Sequence, residues 1–107
     1  MKTALVYTTA PSSEEARSLA TALINRRLIA CANIVDGGLS IVANEDGSQD
    51  EVAEHYMLCK TTMGRADEVI GAIEELHSYD TPCVLVWPAV DGSEPFTNWV
   101  ERATSTV

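Results

Sequence analysis

The chain has 107 residues, of which 46% are hydrophobic, and this is enough for one packed domain spanning residues 1–107. Sixteen acidic residues against seven basic ones give a net charge of −9, so the basic surface that nucleic-acid binding requires is absent. The same excess of negative charge opposes contact with phosphate backbones and anionic membranes. We therefore expect neither nucleic acid nor a membrane among its partners.

The N-terminus and the cysteines predict the cellular compartment. Residues 1–7 contain no long apolar stretch followed by a small-residue cleavage site, so they resemble a first strand rather than a signal peptide. The three cysteines, Cys31, Cys59 and Cys83, are odd in number, widely spaced and free of a Cys-x-x-Cys zinc pattern. A cytoplasmic protein in a reducing compartment is predicted.

The first half of the chain reads as strand, helix, strand. Residues 2–8 form a strand that ends before Pro11, and Ser12 with Glu15 has the spacing of a capping box at a helix start. Apolar residues then recur at helical spacing as far as Ile24. A second strand at 29–35 is interrupted by Asp36-Gly37-Gly38, as a turn or bulge would do, and extended character resumes at 39–42.

The second half repeats the pattern. An Asp-Gly turn at 46–47 leads into a third strand at 52–61, which makes a long hairpin with the second. A second amphipathic helix, 66–76, ends near His77, and a fourth strand follows at 83–87. Ser93 is placed to cap a short last helix, and residues 104–107 are expected to fray.

The order βαββαβ with a C-terminal helix predicts an α+β, ferredoxin-like sandwich. Two of its strands have an unusual pattern: the first and the fourth are apolar on both faces, as in Leu5-Val6 and Val84–Trp87. Strands buried on both sides read this way. Two helices can cover only one face of the sheet, so we expect a second copy of the chain to cover the other.

A divalent-metal site is the first chemical hypothesis. His77 ends the second helix, and Cys31 and Cys83 lie on strands that could bring them near it; imidazole and thiolate together favour copper or zinc. The spacing is not diagnostic of such a site. The alternative stays open that His77 bonds a carbonyl at the helix end and the cysteines pack as small apolar residues.

Enzyme signatures are missing from the sequence. It has no phosphate-binding Gly-rich loop, no G-x-S-x-G and no H-E-x-x-H. An acylphosphatase-like enzyme on the same architecture would need an arginine in the loop after the first strand, where this chain has residues 8–12 without one. We expect a binding or regulatory protein, not an enzyme.

Several motifs in register resemble the CutA family of divalent-cation tolerance proteins. They cover the chain from Leu5 to about Arg102. The matching segments are Leu28–Val35, similar to L-x-A-C-x-N-I; Ser40-Ile41, similar to T-S-I-Y; Lys60-Thr61; Leu76–Pro82, similar to L-H-P-Y-x-x-P; and Asn98–Val100, similar to x-W-L.

The resemblance implies a homotrimer with a ferredoxin-like fold and the shape of PII signalling proteins, in which long second and third strands reach between subunits. It also implies a role in divalent-cation tolerance without enzymatic activity, and copper binding is attributed to some members of the family. No cofactor is expected to be required, and copper or zinc are the candidate metals. Matched by motif, Cys31, Lys60, His77 and Tyr79 correspond to family residues, which makes Lys60 and Tyr79 candidates for contacts in a cleft. The alternative is a PII-like trimer that senses a small anionic metabolite or nucleotide.

The chain departs from the family pattern at three places. The aromatic pair of the hairpin motif Y-x-W-x-G is absent from Val42–Gly47, and Ser78 replaces the proline of the H-P-Y motif. Cys83 stands where a glutamate commonly follows Pro82. This last change exchanges a hard oxygen donor for soft sulfur, which favours Cu(I) or Zn(II).

Overall fold

The computed structural model describes residues 2–106; the parts of our predictions that concern Met1 and Val107 lie outside them. The observed order of elements is the predicted one. The elements are β1 (Thr3–Ala10), α1 (Ser13–Asn25), β2 (Cys31–Ala43), β3 (Gln49–Thr62), a 3-10 turn (Met63–Arg65), α2 (Ala66–Leu76), β4 (Val84–Pro88) and α3 (Glu94–Ala103). No helix among the described residues is both long and apolar enough to cross a membrane.

The four strands form one antiparallel sheet in the order β2-β3-β1-β4. Val6 in the middle of β1 pairs with Cys59 on one side and Val86 on the other. Helices α1 and α2 pack on the face of the sheet to which Val6 belongs, and the core between them includes Leu23 and Ile73, both fully buried. The α+β, ferredoxin-like architecture is confirmed.

Helix α1 begins and ends with recognisable backbone motifs. The Ser12 hydroxyl accepts a hydrogen bond from the Glu15 N–H at 3.0 Å, which confirms the predicted cap. The Glu15 side chain does not complete a capping box, because it bonds Ser78 instead. At the other end Arg27 takes a φ of 58°, and the Leu28 N–H bonds the Leu23 carbonyl in a Schellman motif.

The face of the sheet away from α1 and α2 is called the open face below. Because side chains alternate along each strand, the register assigns its members. They are Thr3, Leu5, Tyr7 and Thr9 of β1, Cys31, Asn33 and Val35 of β2, Glu54, Tyr56, Leu58, Lys60 and Thr62 of β3, and Leu85 and Trp87 of β4.

Helix α3 covers one end of the open face, which the sequence did not predict. It packs against β1 and β3, and its residues lie beside Thr3 and Thr62, which are buried. Ser93 is the N-cap residue, but its side chain makes no capping bond. The expectation of a frayed tail is wrong at Thr104, which is buried and whose carbonyl accepts a hydrogen bond from Arg65.

Candidate functional site

The centre of the open face is an aromatic groove. The ring of Tyr7 lies 6.4 Å from the rings of both Tyr56 and Trp87, so three aromatic side chains cross three adjacent strands. The groove has a volume of about 520 Å³ and is lined by Tyr7, Asn33, Val35, Tyr56, Met57, Leu58 and Trp87. Trp87 is 41% exposed, Val35 56% and Leu85 57%. Such a continuous apolar surface is typical of an interface.

Two of the predicted site residues, Lys60 and Cys31, lie together near the α3 end of this face. They are register partners across β2 and β3. The Lys60 ammonium donates a hydrogen bond to the Asn33 side-chain oxygen, which itself lines the groove. Lys60 therefore lies beside the groove and contacts it through Asn33, and its role as a cleft residue stays a prediction.

The opposite end of the open face holds a second group, called the Glu54 cluster: Tyr7, Glu54, Tyr79 and Cys83. Glu54 is only 8% exposed, and the Tyr79 hydroxyl donates to its carboxylate at 3.4 Å. Burial raises the pKa of the Cys83 thiol and of the Tyr79 phenol, and the negative charge of Glu54 adds to both shifts. Burial also raises the pKa of the Tyr7 phenol, and the charge of Cys83 adds to this shift.

Sequence reasoning missed Glu54 as a site residue. A signal was present, because Glu54, Tyr56, Leu58 and Lys60 alternate along one face of β3, and an acidic residue in that row belongs to the open face. Tyr79, in contrast, was predicted as a cleft residue and lies beside Glu54. Cys83 also belongs to this cluster, and it is solvent-exposed.

His77 is a structural residue in this subunit. Its side chain is 0% exposed, so the ring is enclosed by the subunit although His77 ends a helix. Nε2 contacts the Thr9 carbonyl at 2.7 Å and Nδ1 contacts the Tyr79 N–H at 3.0 Å. A carbonyl only accepts and an amide N–H only donates, so Nε2 donates to Thr9 and Nδ1 accepts from Tyr79; the Glu15 carboxylate also lies 3.4 Å from Nδ1, and both nitrogens are occupied.

The loop after α2 is fastened around this ring. The Tyr79 ring packs against His77 with centroids 4.8 Å apart. Ser78 donates to the Glu15 carboxylate through its N–H at 3.1 Å and its hydroxyl at 2.9 Å. The simpler interpretation weighed from the sequence, a helix-end histidine that bonds a carbonyl, describes His77 in this subunit.

The proposed metal set His77, Cys83 and Cys31 is not brought together within one subunit. Cys31 shares its register position with Lys60, Leu5 and Trp87, and Cys83 lies four residues before Trp87, immediately ahead of the far edge strand β4. Three strand spacings and four residues separate the two cysteines by roughly 19 Å, too far for one ion. Within residues 2–106 no group of three or more His, Cys, Asp or Glu side chains could hold a metal.

The third cysteine is part of the core, as the sequence indicated. Cys59 is fully buried between the helices and the sheet. Burial raises the pKa of its thiol to about 12, so it stays protonated and unreactive in the folded protein.

Comparison with known proteins decides the family. The model of the CutA1 divalent ion tolerance protein family matches residues 4–103. The chain belongs to the CutA1 family. The divalent-cation tolerance protein CutA of Thermus thermophilus is 34% identical over 100 residues, covering 94% of this chain and 96% of that protein. The CutA of Archaeoglobus fulgidus is 33% identical over 97 residues, covering 91% and 93%.

Solved CutA1 structures have the same fold over the full described length. The CutA1 of Ehrlichia chaffeensis superposes with a TM-score of 0.93 at 32% identity and covers 98% of both chains. The CutA1 of Oryza sativa superposes with a TM-score of 0.94 at 29% identity, covering 100% of this chain and 97% of its own. The family resemblance drawn from the sequence motifs is therefore confirmed.

Proposed function

We propose that this CutA1-family chain is a non-catalytic protein of divalent-cation tolerance that binds a soft metal ion and acts as a homotrimer. The observation that carries the proposal is the family match over residues 4–103, together with relatives that bear the name divalent-cation tolerance protein. The metal, the assembly and the cytoplasmic location are proposals for this chain.

The open face supports the assembly. It exposes Leu85, Trp87 and Val35 next to the aromatic groove, and a second copy that covered them would remove a large apolar area from water. In a closed ring of identical chains, a neighbour covers the open face of every subunit in the same way. We expect a mass of three times 11.5 kDa, about 34 kDa, in light scattering at micromolar protomer concentration.

The Glu54 cluster supports a different ligand set from the one that the sequence suggested. Cys83 supplies an exposed thiol and Glu54 a carboxylate whose charge reaches it, whereas His77 has no free nitrogen. Thiolate with carboxylate is a donor pair suited to Zn(II), and thiolate alone favours Cu(I). A neighbouring subunit would supply the remaining ligands, so metal binding and assembly would be coupled.

The alternative of a small anionic metabolite is less well supported. The chain carries a net charge of −9, and the buried Glu54 carboxylate stands at one end of the groove. Both repel an anion, and Lys60 is already bonded to Asn33. A cation is the ligand that this electrostatic environment attracts.

The three free cysteines support the proposed cytoplasmic location, because reduced thiols persist there. The related Archaeoglobus fulgidus protein is described as periplasmic, so the location requires its own test. Cell fractionation of the untagged protein, with cytoplasmic and periplasmic marker enzymes, provides it. Recovery with the periplasmic marker would refute the proposed location.

Native mass spectrometry with Zn(II) and with Cu(I) tests the metal and the assembly together, because it reports subunit number and bound ions in one spectrum. We expect a trimer that takes up metal, loss of uptake in Cys83→Ser, and weaker uptake in Glu54→Gln. Cys31→Ser is the matched control and should bind as the wild type does, because Cys31 lies on the distant edge strand. Equal uptake by Cys83→Ser and the wild type would refute the site.

A further inference from the structure

The hairpin of β2 and β3 extends beyond the rest of the sheet. The pairing of β1 with β3 ends at Ala10 and His55, whereas β2 and β3 stay paired as far as Ala43 and Gln49. We call residues 39–43 and 49–53 the arm. Two strands without a third neighbour are marginally stable in water, so the direction of the arm depends on how its base is held.

The base of the arm is a β-bulge. Val35 pairs with Tyr56 and Gly38 pairs with Glu54, so Asp36 and Gly37 together face the single residue His55. Gly37 has a φ of 78°, a conformation that a side chain would strain. Bulges bend the strand that carries them, and this one changes the course of β2 where the arm begins.

The Tyr56 side chain spans this bulge on the open face. Its hydroxyl accepts a hydrogen bond from the Leu39 N–H at 3.0 Å and donates one to the Leu39 carbonyl at 3.1 Å. The ring passes directly over Gly38, where an added Cβ would lie 2.4 Å from the ring carbon Cζ. The Tyr56 side chain thus bonds both the N–H and the carbonyl of Leu39, the first residue of the arm.

Further contacts connect the bulge to the body of the sheet. The Tyr56 ring lies 6.4 Å from Tyr7 at an interplanar angle of 38°. On the opposite side of β3, His55 Nδ1 lies 2.6 Å from the Asp36 carboxylate. The bulge is therefore contacted on both faces of the sheet, and of these two side-chain contacts the one made by Tyr56 reaches a residue of the arm, Leu39.

We propose that Tyr56 is a positioning residue that fixes the direction of the arm through the backbone of Leu39 and thereby sets the geometry in which copies of the chain assemble. The arm presents Leu39, Ile41 and Val42 as exposed apolar side chains, which a neighbouring copy would cover. The second half of this inference rests on the assembly proposed above; the first half concerns a single subunit.

Tyr56→Phe tests the inference, because it removes both hydrogen bonds and keeps the ring. Hydrogen exchange followed by NMR should show the Leu39 amide exchanging roughly fivefold faster, while the Met57 amide is unchanged. Light scattering over a dilution series should show the trimer dissociating at a roughly fivefold higher protomer concentration. For the exchange measurement, the matched control is Tyr7→Phe, which removes a hydroxyl from the neighbouring ring and leaves both bonds to Leu39 in place.

The possible results separate the two proposals. Unchanged exchange at Leu39 in Tyr56→Phe would overturn the positioning role, whatever the assembly does. Faster exchange with an unchanged dilution profile would overturn the link to assembly. A wild-type protein that is monomeric would refute the proposed trimer, and the exchange measurement would still decide the role of Tyr56 in that monomer.

Discussion

Replacing His77 with phenylalanine separates a structural role from metal binding. The substitution keeps a buried ring and removes the bonds to the Thr9 carbonyl and the Tyr79 N–H, at 2.7 and 3.0 Å. Each lost bond costs about 1 kcal/mol, and leaving the buried carbonyl of Thr9 without this partner adds to that. We expect the free energy of unfolding to fall by about 3 kcal/mol, with the metal stoichiometry unchanged.

The measurement is urea denaturation followed by circular dichroism at one fixed protomer concentration, because assembly adds to apparent stability. His55→Phe is the matched control, since it makes the same chemical change at a partly exposed ring with an ion-pair partner, Asp36. It should cost under about 1 kcal/mol. If His77→Phe abolished metal uptake and left stability intact, His77 would be a ligand and the structural role argued here would be wrong.

Three further predictions follow from local contacts. Ser12→Ala should lower stability by about 1 kcal/mol in urea denaturation through loss of the α1 cap, whereas Ser12→Asp, which keeps a side-chain acceptor, should not; a neutral effect of Ser12→Ala would contradict the role of this cap. Gly38→Ala should cost roughly 1–3 kcal/mol, because its Cβ would meet the Tyr56 ring and, at 2.7 Å, the Glu54 carbonyl oxygen; a neutral effect would contradict this close packing. With iodoacetamide at pH 8, mass spectrometry should show Cys59 as the slowest of the three thiols, with a pKa of about 12; rapid native labelling would refute its burial.

The fold was predictable because each element carries its own signal. Ser12 marked the start of α1, and the apolar spacing of residues 66–76 reproduces α2 at both ends. The 3-10 turn at Met63–Arg65 was not predicted, because three residues are too few for a periodic pattern. The position of α3 on the open face was also missed, since spacing defines which side of a helix is apolar but not the surface that it covers.

The site was harder to predict, because side-chain contacts depend on register. Cys31 begins β2 and Cys83 immediately precedes β4, and the strand order places these two strands on opposite edges of the sheet. The same register brings Cys83, Tyr79 and Glu54 together from distant parts of the chain. Residue type alone suggested His77 as a ligand, and only its two hydrogen bonds identify it as a structural group.

Glu54 gives the sharpest test of whether the open face is built for a cation. It is 8% exposed, and its carboxylate accepts a hydrogen bond from the neutral Tyr79 hydroxyl at 3.4 Å. A buried carboxylate without a cationic partner lowers the stability of the fold, because its charge has lost its hydration. A bound cation neutralises that charge and restores the stability. Glu54→Gln should therefore raise the free energy of unfolding of the metal-free protein by about 1 kcal/mol and weaken Zn(II) uptake. Urea denaturation with a chelator present measures the first effect and calorimetry the second. A variant less stable than the wild type without metal would refute this reasoning, because the weakened Tyr79 hydrogen bond would then outweigh any relief of the buried charge.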